Sequence, residues 1–237
     1  DWLCGRAKGW SAHVGGEPVV ASWCTGKVGM IGTSYNGTLP LAAATTGVVG
    51  LEAIVPIAPN TSYYHYYRSN GLVRAPGGYM GEDVDVLYDF IHSGDPATDA
   101  WCDQHVRDEV MMKREDREHG DWNAFWAERD YLLDLGPMKA ACLMSHGFND
   151  WNVMPEHSTR IFKALEKKGV PVVGYWHQGA HGGPPPFELV DKWFTKYLLG
   201  VDNGVEKGPR AFIVREGDKP SKPTAYADWP NPDAANV

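Results

Sequence analysis

Ser34, Asp150 and His181 lie far apart in the chain, and each sits in or beside a short glycine-containing stretch. Their types are those needed for nucleophilic acyl transfer. A serine hydroxyl is a weak nucleophile until a neutral imidazole takes its proton, and a carboxylate on the other ring nitrogen holds the imidazole in the right tautomer. Ser34 falls in Gly32-Thr33-Ser34-Tyr35-Asn36-Gly37, after an apolar run and before an Ala/Thr/Leu-rich stretch. That is the setting of a tight strand-to-helix turn that lifts a nucleophile above a sheet, with the backbone N–H of Tyr35 aimed at the oxyanion formed on attack. The hexapeptide departs from G-x-S-x-G, because Asn36 fills the last glycine position and Gly37 comes one later. Taken singly, Ser34 suits an ordinary glycine-rich turn, Asp150 a cap or turn, and His181 a polar loop. In order, after three strand-like runs, they favour a triad of nucleophile, orienting acid and base. His146 is the rival base, but its place beside Gly147 suits local hydrogen bonding better.

The elements that must position these groups are legible as short apolar runs. Val28–Gly32, Ala53–Pro59, Ala141–Ser145 and Val172–Trp176 are each bounded by Gly or Pro, and helix-like segments such as Pro155–Lys168 and Phe187–Leu199 alternate with them. Such alternation predicts a mostly parallel sheet covered on both faces. In open sheets of this kind, loops at the strands' C-terminal ends gather on one edge and build the site. Residues 61–135 break the rhythm. They are rich in Tyr, Trp and charge and hold helical stretches near Asp83–His92 and Ala97–Lys113, which predicts a helical lid inserted between two strands.

Composition excludes several classes. The chain has 237 residues, 43% hydrophobic and 22% charged, with a net charge of −8. It carries no basic footprint for nucleic acid or an anionic membrane, and no run near the ~18 apolar residues of a membrane span. The four cysteines are scattered, no metal-ligand spacing occurs, and no dinucleotide or phosphate-loop motif is present, so no metal and no cofactor are expected.

Longer stretches carry a resemblance. Gly26 to Thr38 closely resembles the nucleophile turn of the Xaa-Pro dipeptidyl-peptidases. Tyr66-Tyr67-Arg68-Ser69-Asn70-Gly71-Leu72-Val73, then Pro76-Gly77-Gly78 and Gly81-Glu82-Asp83, is similar to that family's lid segment. His146-Gly147, Asp150-Trp151-Asn152-Val153 and Gly179-Ala180-His181 are similar to its acid and base loops. The resemblance implies an α/β-hydrolase fold, in which the order Ser, Asp, His is also the usual one.

It further implies a serine peptidase that releases N-terminal Xaa-Pro dipeptides through an acyl-enzyme, from peptides with a free N-terminus and proline second. A carboxylate must then meet the substrate ammonium, and aromatic groups must cup the proline ring. Glu82 stands where the family places the amine-binding acid, with Asp83 as its substitute, although both acids equally suit the start of a helix. Tyr63, Tyr66, Trp151 and Asn152 are the candidates for the proline pocket, and each alone equally suits lid packing.

By analogy the parent is a cytoplasmic homodimer. The organisation expected is a partial core over residues 1–60 and 136–207, the lid over 61–135, and the start of a C-terminal β-sandwich or a linker over 208–237. Few residues precede Ser34, so the chain reads as a fragment whose N-terminal strands are missing, together with the tyrosine that the resemblance implies as second oxyanion donor. The alternatives are an esterase or β-lactam/amide acylase on the same fold, and a non-catalytic truncated homologue.

Overall fold

The computed structural model describes residues 1–78, 80–92 and 95–232. Each apolar run becomes a strand. Val28–Thr33 (β1), Leu51–Ile57 (β2), Ala141–Gly147 (β3), Val172–His177 (β4) and Ala211–Ile213 (β5) run parallel, and Thr224–Tyr226 (β6) closes one edge antiparallel to β5. Their spatial order is β6-β5-β4-β3-β2-β1, so every neighbour in the sheet is a neighbour along the chain. β1 forms the other edge.

The helices are Tyr35–Thr45 (α1), Tyr63–Tyr67 (α2), Val84–Ile91 (α3), Glu156–Lys168 (α4) and Phe187–Leu199 (α5), with shorter turns between them. Side chains alternate across a strand, and the two faces of the sheet separate accordingly. Ile54, Cys142, Met144, Val172 and Trp176 pack with Leu41 of α1 and Ile161, Phe162 and Leu165 of α4. Ala53, Val55, Ile57, Leu143 and Val173 pack with Trp193 of α5. Burying each large apolar side chain contributes roughly 1.5–3 kcal/mol. Two layers of such contacts hold the sheet as a rigid platform.

Residues 61–135 form the insertion between β2 and β3, with a small core of their own. Tyr66, Tyr67, Val84, Met111, Phe125 and Trp126 pack together, and Val153 from the loop after β3 completes the cluster. The helical stretch expected over Ala97–Lys113 is split. It is α-helical over Pro96–Cys102, wound as a π-helix over Asp103–Met111, and α-helical again over Met112–Arg114. Arg107 ties the wide-turn segment to α3 through Asp89 at 2.8 Å. No described helix is long and apolar enough to cross a membrane.

Within the stretch 208–237, expected to begin a β-sandwich or to be a linker, residues 211–213 and 224–226 pair as β5 and β6 at the edge of the core sheet. The apolar run Ala211-Phe212-Ile213 satisfies the free edge of β4, and Trp229 packs on Trp176 with ring centroids 5.3 Å apart. Residues 233–237 of that stretch lie outside the described residues.

The start of α1 is where the fold is least tolerant. Gly37 crosses the ends of β1 and β2 so closely that a Cβ there would lie 2.6 Å from Ile57 O and 2.8 Å from Gly32 O. Backbone cannot give way as a side chain can. Gly37→Ala is therefore expected to destabilise the fold by about 1–3 kcal/mol, read as a lowered urea midpoint. An unchanged midpoint would contradict this packing.

Candidate active site

The serine is positioned by backbone strain. Ser34 links β1 to α1 with φ 62° and ψ −127°, a region that L-residues other than glycine rarely enter. The turn is held from both sides. Ser34 N donates to Ile57 O at 2.9 Å, and Gly37 N and Thr38 N donate to Ser34 O at 2.8 and 2.9 Å. Thr38 Oγ1 also accepts from Asn60 N at 2.9 Å, which ties the turn to the loop after β2. Tyr35 heads α1, so its N–H has no acceptor within the helix and adds to the positive end of the helix dipole.

The other two candidates arrive on the next loops. Asp150 follows β3 and His181 follows β4, two adjacent parallel strands. His181 Nδ1 lies 2.8 Å from Asp150 Oδ2. The loops can approach because Gly147 has no side chain: a Cβ there would sit 2.5 Å from Ala180 O. Further bonds lace them together. Phe148 N donates to His177 O at 2.7 Å and Asn149 Nδ2 to Gln178 O at 2.8 Å. The buried His177 ring accepts from Gly179 N at 3.0 Å and lies 2.9 Å from Gly182 O, so its Nε2 carries the proton.

Asp150 is fully buried, yet four donors surround it. Oδ1 accepts from Asn152 N at 3.0 Å and Val153 N at 2.9 Å, while Oδ2 faces His181 and also His146 Nε2 at 3.2 Å. Burial alone would raise its pKa. The hydrogen bonds from His146 and His181 outweigh burial and hold the carboxyl well below the usual carboxylate range. The pairing with His146 escaped the sequence reading, which placed that histidine in local contacts. The four-residue spacing of His146 and Asp150 at a strand end is the one signal that pointed to it.

Asp150 and His181 are thus brought together. Gly182 lies against the turn, where a Cβ would meet Thr33 Cγ2 at 3.8 Å. Among the described residues no hydrogen bond joins the Ser34 hydroxyl to the His181 ring, and Nε2 of that ring is left open.

The remaining candidates divide. Tyr66 Oη donates to Asn152 Oδ1 at 2.9 Å, and Asn152 Nδ2 donates to Pro76 O at 3.2 Å. Arg74 spans the same gap, reaching Tyr66 O at 3.3 Å and Trp151 O at 2.9 Å, so the insertion is sewn to the Asp150 loop. Glu82 is buried against this seam. Burial raises its carboxyl pKa, opposed by the N–H of Gly77 and by Arg74. No ion pair reaches it among the described residues.

Tyr63 packs against the cluster that holds Tyr66. With Tyr35, Val84, Leu87, Met111 and Tyr131 it lines a cavity of about 360 Å³ beside the serine turn. Trp151 is 80% exposed. Asp83 is already engaged: it accepts from Val84 N at 2.8 Å as the cap of α3 and pairs with buried Arg68 at 2.9 Å. Among the described residues no cluster of three metal-ligating side chains occurs.

The comparisons agree with the resemblance. The sequence model described as X-Pro dipeptidyl-peptidase (S15 family) matches residues 1–183. The chain is 65% identical over 238 residues to a protein of Rhodopirellula baltica whose name places it with the Xaa-Pro dipeptidyl-peptidases, covering all of this chain and 38% of that protein. It is 37% identical over 250 residues to the Xaa-Pro dipeptidyl-peptidase of Lacticaseibacillus rhamnosus, covering 100% and 31%. The chain therefore spans well under half the length of these relatives. In fold it is similar to a CocE/NonD family hydrolase of Staphylococcus aureus (TM-score 0.64, 18% identity, 90% of this chain and 37% of that one). It is also similar to an α-amino acid ester hydrolase (TM-score 0.62, 19% identity, 97% and 41%).

The strain at Ser34 has a measurable consequence. Ser34→Gly should stabilise the protein by about 1 kcal/mol relative to Ser34→Ala, because alanine keeps the Cβ that the positive φ opposes. Thermal unfolding of the two variants side by side reads the difference. Equal melting temperatures would mean that the turn is unstrained.

Proposed function

The chain belongs to the X-Pro dipeptidyl-peptidase (S15) family, and from that premise we propose that its parent protein is a serine peptidase that removes N-terminal Xaa-Pro dipeptides. The observation that carries this reading is the 2.8 Å Asp150–His181 pair, delivered by adjacent loops next to a serine held at positive φ.

Ser34 Oγ attacks the carbonyl carbon of the substrate's proline while His181 Nε2 takes the hydroxyl proton. Asp150, on Nδ1, stabilises the imidazolium that results. The developing oxyanion receives the N–H of Tyr35. Collapse breaks the C–N bond, and His181 returns the proton to the departing amine. Water then repeats the sequence on the acyl-enzyme and frees the dipeptide. Hydrogen bonds of this kind tighten when substrate binds, so the open Nε2 is compatible with the base role.

The dipeptide requirement falls to the insertion. Glu82 is a buried carboxylate near Arg74 but reached by no direct ion pair among the described residues, and a free substrate ammonium supplies one. Asp83, committed to Arg68 and the helix cap, is unsuited to that task. Tyr66 and Asn152 sit on the Glu82 side, Tyr63 on the cavity side next to Tyr35. Proline is placed between them. Trp151, exposed here, joins the pocket when substrate or the rest of the parent covers it. The second oxyanion donor and the strands that pair with the free edge of β1 are assigned to the rest of the parent, which by family analogy is a cytoplasmic homodimer.

In the full-length protein, Ala-Pro and Gly-Pro chromogenic amides should be cleaved and their N-acetylated forms should not. Equal rates on the blocked substrates would overturn the peptidase reading. Glu82→Gln should raise KM about tenfold or more with a smaller effect on kcat, since it removes the charge that meets the ammonium. Fluorophosphonate labelling should vanish in Ser34→Ala.

Activity should also fall on acidification with the slope of a single proton. At saturating substrate, where Glu82 is already paired, Asp150 is held ionised and only the base gains a proton as pH drops, and an imidazolium cannot accept the serine's. A two-proton acid limb would contradict the buried, ionised carboxylate.

A further inference from the structure

We infer that His146, locked by Ser158, is a positioning residue that grips the same carboxylate oxygen as His181 and thereby sets how strongly Asp150 supports the base. The inference rests on the proposed roles of Asp150 and His181 and adds a second imidazole to them.

His146 is the penultimate residue of β3 and wholly buried, as are Ser158 on α4 and the Asp150 side chain. Its Nε2 lies 2.8 Å from Val153 O and 3.2 Å from Asp150 Oδ2. Both of those atoms are acceptors, so Nε2 carries the ring proton and shares it between them. Its Nδ1 is then the acceptor, and the Ser158 hydroxyl donates to it. Ser158 thus fixes the His146 tautomer, His146 Nε2 donates to Val153 O with Asp150 Oδ2 3.2 Å away, and His181 bonds Asp150 from the other side.

The two imidazoles compete for one oxygen. Every share of negative charge drawn by the His146 N–H is withheld from His181, so His146 restrains the basicity of the pair while fixing the carboxylate's rotation. Val153 is part of the same device. Its N–H donates to Oδ1 of Asp150 at 2.9 Å while its carbonyl accepts from His146, so backbone and imidazole close a small ring around the carboxylate.

The other titratable groups facing this cluster are His177 from β4, His157 from α4 and Tyr66 from α2. Burial lowers the pKa of His177 and pushes that of His157 down to about 3, and it pushes Tyr66 up to about 12. Of His146, His157 and His177, it is His146 whose ring lies 3.2 Å from Asp150 Oδ2.

The test uses the full-length protein and three variants. His146→Phe removes the donor and keeps the ring volume. His146→Gln keeps an N–H near the position of Nε2. Ser158→Ala releases the tautomer lock. In His146→Phe the Asp150 charge falls wholly on His181, so the acid limb of kcat/KM should move to higher pH by about half a unit or more, and kcat should fall about tenfold with KM within about twofold. His146→Gln should return both toward the unmodified protein. Ser158→Ala should shift the limb in the same direction by less.

A limb that stays in place in folded His146→Phe overturns the inference. Should that variant not fold, a Ser158→Ala limb coinciding with that of the unmodified protein overturns it instead. NMR titration of the ¹⁵N-labelled His181 ring in the same proteins reads the coupling without turnover. A raised titration in His146→Phe supports the inference even if Ser34→Ala were to leave hydrolysis intact, a result that would sink the proposed reaction but not the coupling.

Discussion

A carboxylate kept ionised away from water is the element around which this chain is organised. Desolvating a lone carboxylate costs several kcal/mol, more than one neutral hydrogen bond returns. Asp150 therefore survives as an anion only because two backbone N–H groups and two imidazoles converge on it. That convergence dictates much else: β3 and β4 must be adjacent and parallel, Gly147 must lack a side chain, and the loop after β3 must turn tightly enough to aim Asn152 N and Val153 N backwards. The same loop then carries Val153 into the core of the insertion and Asn152 to Tyr66, so the chemistry of the acid and the placement of the insertion are one construction.

The insertion solves a similar electrostatic problem differently. Arg68 and Asp83 are both fully buried, paired at 2.9 Å, and the guanidinium also donates to the carbonyls of Tyr67 and Glu115 while lying over Trp126 at 4.7 Å. A buried ion pair of this kind adds little net stability, because desolvation offsets attraction. What it supplies is definition: Asp83 cannot leave Arg68, so α3 starts at one place and Glu82 is presented in one orientation. Nearby Glu115 has neither oxygen hydrogen-bonded among the described residues. Burial, then the charges of Asp83 and Asp85, push its carboxyl up to about 8, so near neutral pH it is mostly protonated and the cluster carries one negative charge fewer.

Much of this architecture was legible in the residue pattern. The apolar runs marked the core strands, because strands covered on both faces have no polar alternation, and Phe187–Leu199 was readable to the residue from its amphipathic spacing and the glycine that follows. The serine turn was legible because few sequences put a small-residue hexapeptide between a buried strand and a helix. The pairing of Asp150 with His181 was foreseeable from loop order alone, since parallel strands send their C-terminal loops to one edge. Harder to read was the path after residue 208, where a short apolar run could equally begin a new sheet. The free edge of β4 claimed it.

Residue types and their order along the chain therefore settled the sheet and the serine turn and marked Asp150 and His181 as neighbours, because periodicity and turn chemistry are local properties. The second imidazole beside Asp150 and the separation of Asp83 from Glu82 were decided only in three dimensions. Each depends on which buried polar atoms find partners across long stretches of chain. A donor such as Arg68 NH1 or His146 Nε2 carries no mark in the sequence of the acceptor that folding brings to it.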